Sequence, residues 1–220
     1  GFSTKDSSLG HWNSIKIDMV VMLGFLIAAI NFTLHARSIE KKRFDYASDS
    51  EFKSFMGLIA VGVLIITLLL NLEGFSFGTA LRNASFNVVT LATSGGYGNA
   101  LGRGESGDFA SWPGSTQLLL LFFIVIGGCT GSTSGGVKIM RFRIGIAHAY
   151  RILRSIRRPS ALIRARMGNK TIPDSLVERV AGFVVIYGIL VISGTFILTI
   201  LGTDLVTSLS GSFSALGNMG

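Results

Sequence analysis

Met19 to Ala36, Ser54 to Leu72, Phe109 to Val137 and Val180 to Thr203 are long, apolar and contain no Asp, Glu, Lys or Arg. About 20 apolar residues cross the hydrocarbon core of a bilayer as a helix, so these stretches predict four crossings of an integral membrane protein. The constraint is severe, because lipid offers no hydrogen bonds. Backbone inside a bilayer must be helical, or else buried in protein or facing a water-filled cavity. Charged residues make up 15% of the chain, against about 25% in soluble domains. They lie between the apolar blocks instead of among them.

Their placement sets an orientation. Half of the 20 basic residues lie between Lys138 and Lys170, a stretch without an acid: Lys138, Arg141, Arg143, Arg151, Arg154, Arg157, Arg158, Arg164, Arg166 and Lys170. A nucleic-acid surface would use such a cluster, but beside membrane helices an excess of Lys and Arg marks the cytoplasmic side. No nucleic acid is expected as a partner; membrane lipid is. Arg37 to Lys53 holds a smaller basic cluster and belongs on the same side, whereas Glu73 to Trp112 has net charge −1 and belongs outside. The four crossings then alternate inward, outward, inward, outward. The basic stretch also reads as an amphipathic helix, with Arg143, Arg151, Arg154 and Arg158 on one face and Ile146, Tyr150 and Leu153 on another. Headgroup anchoring and docking of a regulatory subunit both fit it.

Between the second and third crossings lies an amphipathic run, Thr79 to Thr93, too short to span. Ser94-Gly95-Gly96-Tyr97-Gly98 follows it. A half-spanning helix that ends in such a loop can present peptide oxygens to a cation, and rings of carbonyls replace the hydration shell of potassium. Glycine permits backbone angles that a Cβ opposes. A surface linker would gain nothing from Phe86, Val88, Val89 and Leu91, which ask for burial. The pattern recurs: Gly78-Thr79-Ala80-Leu81 returns as Gly202-Thr203-Asp204-Leu205, an offset of 124 that places Asn218-Met219-Gly220 on Ser94-Gly95-Gly96. Gly1-Phe2 can be laid on Gly96-Tyr97. The expected fold class is therefore all-α integral membrane, built of repeated helix–pore half-helix–helix units. Residues 1–53 would end one unit and 54–140 would form a complete one. A basic cytoplasmic segment would cover 141–179, and 180–220 would begin the next unit. The chain opens on Gly1 without an initiator Met and stops at Gly220, as an excised piece of a longer protein would.

Gly127, Gly128, Cys129, Thr130, Gly131, Ser132, Thr133, Ser134, Gly135 and Gly136 interrupt the third crossing. Glycine costs up to about 1 kcal/mol relative to alanine inside a helix, so a continuous helix is disfavoured here. One reading is a non-helical loop that obstructs or opens a path; the other is a small-residue face for close helix packing. A third reading takes Leu118 to Ile126 as a strand and Gly131 to Lys138 as a phosphate loop. Val137 separates Gly136 from Lys138, however, and Ile139 stands where that motif needs Ser or Thr. His11, His35 and His148 are scattered, which argues against a metal or nucleophile constellation. Cys129 is the lone cysteine, so no intrachain disulfide can form. No enzyme chemistry and no cofactor are expected.

Leu91 to Gly98, Ile126 to Lys138 and Gly1-Phe2-Ser3-Thr4 resemble the Trk-type potassium uptake membrane subunit of the Trk/Ktr/HKT superfamily, over essentially the whole chain. The resemblance implies four units around one pore, with one filter glycine each; Gly1, Gly96 and Gly220 match three of them. Main-chain oxygens at Gly1, Phe2, Ser94, Gly95, Gly96, Tyr97, Gly98, Asn218, Met219 and Gly220 would line the potassium filter, with the Tyr97 side chain a strut. Asn218 could equally be a helix cap. Ser94-Gly95 departs from the more usual Thr-Thr. The 127–136 loop would be the gate. The resemblance further implies potassium as the transported ion, a bacterial cytoplasmic (inner) membrane, a homodimer, and a cytosolic nucleotide-binding regulatory subunit. Channel-like and proton- or sodium-coupled uptake both remain open. Alternatives are a secondary transporter of another cation, such as sodium, and a membrane-associated P-loop ATPase.

Overall fold

The computed structural model describes residues 2–42, 45–157, 166–167 and 170–219, with only the backbone of Asp45, Arg166 and Lys170. Helix α1 spans Ile15–Ala29 and α2 spans Phe32–Glu40. Helix α3 (Ser50–Leu72) leads through a tight turn into α4 (Phe77–Ala92). Then come α5 (Gly114–Ile126), α6 (Ile139–Arg157), α7 (Asp174–Ile200) and α8 (Leu205–Leu216). A two-residue antiparallel pair, β1 (Arg166–Met167) with β2 (Lys170–Thr171), lies between α6 and α7. The architecture is otherwise helical.

Two described helices, α3 and α7, are long and apolar enough to cross a membrane unbroken. The other two expected crossings are not continuous helices. Met19 to Ala36 is not one continuous helix, because α1 stops at Ile30, which is extended, and α2 leaves at 93°. Asn31 supplies the reason: its side chain accepts from the Thr33 N–H at 2.8 Å and starts a new helix. At 15 residues, α1 covers about 22 Å. Helix α5 is shorter still and ends at Gly127 with φ 68 and ψ −172, a conformation almost confined to glycine.

The repeat is present with a changed register. Gly74 (φ 95) and Gly202 (φ 97) end α3 and α7 in the same left-handed turn, an offset of 128. Ser94 (φ 60) and Asn218 (φ 51) end α4 and α8 alike, at an offset of 124. The matching bonds run from Gly95 N–H to Thr90 O (2.7 Å) and from Met219 N–H to Ser214 O (2.9 Å). Helix α8 has 12 residues against 16 in α4, one turn fewer at its start. The GTAL and GTDL segments are therefore not structural equivalents: Gly78 sits inside α4, Gly202 before α8. Asp204 caps α8 by accepting from the Thr207 N–H at 3.0 Å. Hydrogen bonds from the Thr207 side chain and backbone hold its carboxyl below the usual carboxylate range.

Helix α4 packs against α1, α3 and α5, and every residue from Phe86 to Ala92 is buried. Its apolar face joins Phe55, Ile66 and Leu70 of α3 and Leu120 and Phe123 of α5 in one core. Close approach of α3 and α5 requires Gly62, where a Cβ would lie 2.1 Å from the Phe123 ring. Outer faces of α3 and α7 expose Val61, Leu64, Leu68, Val185, Ile192 and Phe196, as lipid-facing surfaces do.

Candidate functional site

Three chain segments meet at the C-terminal end of α4. The helix finishes in a turn in which Tyr97 N–H donates to Thr90 Oγ1 at 2.9 Å, so the loop folds back over the helix that delivers it. Gly96 stands at φ 69. The Tyr97 ring stacks on Phe25 of α1, 5.6 Å between centroids, and its hydroxyl donates to the Phe2 carbonyl at 3.0 Å. The Gly98 carbonyl accepts from Leu9 and Gly10 N–H, at 3.0 and 3.2 Å. Residues 2–10 and 94–98 thus lie side by side, while the Phe2 side chain is fully exposed. Tyr97 is a strut in geometry. Asn218 ends α8 in the left-handed conformation that Ser94 adopts after α4, and Met219 packs on the core. Gly1 and Gly220 lie outside the described residues.

The loop after α5 closes under this junction. Residues 127–138 contain no helix, so a small-residue helix face does not describe them. Nor does a strand precede them, since Leu118 to Ile126 belongs to α5; the strand and phosphate-loop reading fails there. Cys129 N–H donates to Ala29 O at 2.9 Å and Thr133 N–H to Ala28 O at 3.2 Å. These carbonyls were freed by the break after α1. Phe32 N–H returns a bond to Gly131 O at 3.0 Å. On the opposite side Ser134 Oγ donates to Thr93 O at 2.9 Å and Gly135 N–H to Ser94 Oγ at 3.0 Å. A Cβ on Gly135 would fall 1.8 Å from Gly217 O, so the loop also touches the end of α8. A Cβ on Gly128 would lie 2.5 Å from Ser134 Oγ and 2.9 Å from Ala29 O. Ser132 Oγ donates to Cys129 O at 2.6 Å. Left-handed angles at Gly131 (φ 74) and Gly136 (φ 73) let the chain double back. One segment thereby contacts the ends of α1, α4 and α8.

Several polar residues outside the expected site prove central. Glu51, buried in the first turn of α3, accepts from Thr130 N–H at 2.7 Å. Asp18 of α1, 1% exposed, pairs with Arg82 of α4 at 2.8 Å. Removing Arg82 would strand the buried Asp18 carboxylate, at about 3–5 kcal/mol; the Arg82 side chain is partly exposed and also donates to Asn13. Behind the 94–98 loop, buried Asn99 Nδ2 donates to Asn83 Oδ1 at 3.0 Å, and Asn87 Nδ2 donates to Asn83 O at 3.0 Å. Charge next to an apolar block was the available signal for Asp18 and Glu51. The asparagines carried none beyond helical spacing on α4.

The basic segment is helical as α6 through Arg157. Arg143 Nη1 donates to Ser50 Oγ at 3.3 Å, Arg151 pairs with Asp174, and Arg154 lies 4.6 Å over the Tyr150 ring. Arg158 lies outside the described residues. Ile146, Tyr150 and Leu153 remain exposed together.

A sequence profile for the TrkH family, described as cation transport protein, matches residues 1–220. The chain is 32% identical to the Trk system potassium uptake protein TrkH of Halomonas elongata, and 31% to that of Escherichia coli K12. Each match covers the whole chain and 45% of the relative, so the chain spans under half the length of these curated relatives. The crystal structure of the potassium transporter TrkH from Vibrio parahaemolyticus superposes with a TM-score of 0.90 at 31% identity, covering all of this chain and 47% of that one.

Proposed function

Because the chain belongs to the TrkH family of cation transport proteins, we propose that it supplies part of the wall and the gate of a potassium uptake path. The meeting of the 94–98 loop, the end of α8 and the 127–136 loop carries this reading. Peptide oxygens of Ser94, Gly95, Gly96 and Tyr97, with those at Phe2, Asn218 and Met219, are the ligands a dehydrated potassium ion needs; the Gly98 carbonyl, which accepts from Leu9 and Gly10 N–H, braces the loop instead. Gly1 and Gly220 complete the set. A helix C-terminus bears about half a negative charge. Helices α4 and α8 both end where the ion would wait. No ionised side chain is required, which lets a monovalent ion leave as readily as it enters.

In this reading residues 54–140 form one complete unit, 1–53 finish the unit before it, 141–179 lie in the cytoplasm, and 180–220 start the unit after it. The 127–136 loop is the gate, since it lies against Thr93 and Ser94, immediately before the filter glycines. The full-length protein works in the cytoplasmic membrane of a bacterium, as a homodimer regulated by a cytosolic nucleotide-binding subunit docked near α6.

Uptake of radioactive rubidium into liposomes holding the full-length protein tests the function. Unlabelled potassium should suppress the signal and sodium at the same concentration should not. Equal suppression by sodium would favour a sodium transporter. Absence of any flux would refute the potassium reading.

A further inference from the structure

Lys138 ends the loop beneath the filter in an unexpected way. It is a non-glycine residue at φ 74, a conformation that L-residues adopt rarely and that marks a site whose surroundings hold it there. Helix α6 begins at the next residue, and Arg141 and Arg143 follow on the way to the cytoplasm. A lysine here could extend its stem toward water, as long basic side chains near membrane surfaces do. It turns back instead. Its Nζ donates to Ser132 O at 3.2 Å, to Ser132 Oγ at 3.5 Å and to Ser134 O. An ammonium has three donors, and three oxygens of the loop receive them.

Those acceptors are two peptide carbonyls and a hydroxyl, the ligand class that potassium takes. They also sit beside the path. Ser134 Oγ is bonded to Thr93 O, and the next residue's N–H to Ser94 Oγ. The ammonium is therefore lodged one residue away from the end of α4, where a helix terminus favours a positive charge.

The geometry points to Lys138 as a tethered cation that fills a potassium-type oxygen cage in the 127–136 loop. While the ammonium is in place, the loop oxygens are occupied and its charge repels an ion descending from the filter. When the side chain withdraws, the oxygens of Ser132 and Ser134 become a potassium station on the cytoplasmic side of the filter. Glu51, bonded to Thr130 N–H, steadies the far side of the loop in both states. The inference rests on the potassium reading above and adds an ion site and a positioning residue to it.

The test uses the full-length protein in liposomes, comparing wild type with Lys138→Gln and Lys138→Ala. Each variant should raise initial rubidium influx about tenfold, the size of a modest shift in the loop's open population. Propylammonium on the cytoplasmic side should return Lys138→Ala toward wild-type flux by refilling the cage, and should leave wild type unaffected. Wild-type rates in both variants, or a leak that propylammonium does not reduce, would overturn the proposal and leave Lys138 a packing residue. Lys138→Gln decides the matter by flux alone if the alanine variant does not reach the membrane. A wild type without potassium flux would overturn the potassium reading and this inference together. A conducting wild type with unaltered variants would sink the inference alone.

Discussion

Replacing Gly135 with alanine is expected to open the path, raising initial rubidium influx through the full-length protein by about tenfold or more. The added Cβ would meet Gly217 O at 1.8 Å and Gly217 C at 2.5 Å, both backbone atoms. Something has to move. The end of α8 is tied into its own helix, with Gly217 N–H donating to Phe213 O at 2.8 Å and Met219 N–H to Ser214 O at 2.9 Å. At that point the loop is held by Gly135 N–H on Ser94 Oγ and Ser134 Oγ on Thr93 O, each bond worth about 0.5–1.5 kcal/mol net. Overpacking costs about 1–3 kcal/mol, which matches the pair of bonds. The loop yields before the helix does. A shift of about 1.4 kcal/mol in a closed equilibrium changes the open population tenfold. Unchanged influx from a variant that reaches the membrane at normal levels would separate the loop from gating.

Gly96→Ser should produce the second large effect, a fall in potassium-over-sodium preference of about tenfold, or about 1.4 kcal/mol of discrimination. Gly96 has φ 69, where a Cβ adds about 1–2 kcal/mol of strain. Relief requires the peptide to rotate, and rotation moves the oxygens that replace water around the ion. Serine also adds a hydroxyl that can bind the smaller sodium ion. Competition of sodium against rubidium uptake measures the loss. Retention of wild-type preference would mean that the 94–98 loop does not discriminate.

Much of the fold was legible because the bilayer leaves few choices. Uncharged length located α3 and α7, and the polar caps Ser76 and Asp204 stand where the two half-helices begin. Ten small residues in a row announced that α5 could not continue. The break after α1 was hidden, because Ile30-Asn31 looks like any apolar helix with one amide in it. What stabilises that break comes from about 100 positions later, where Cys129 and Thr133 supply N–H donors to Ala29 and Ala28. Local sequence cannot register a partner so distant. The repeat misled at one end for a similar reason: four residues are missing from α8, and the identities between GTAL and GTDL masked the gap. Of the site, the loops themselves were legible from glycine content. Their polar supports were not, since Glu51, Asp18 and Arg82 read as ordinary charges until folding buries the two carboxylates and sets Arg82 against Asp18.

The central claim is that main-chain oxygens, rather than ionised side chains, receive the ion. Crystals of the full-length protein grown in rubidium would locate the ion by its anomalous signal. The account predicts peaks between the backbone oxygens of residues 94–97 and those of the neighbouring filter segments. Peaks confined to carboxylates, or none near residues 94–98 in a protein that still transports rubidium, would contradict it.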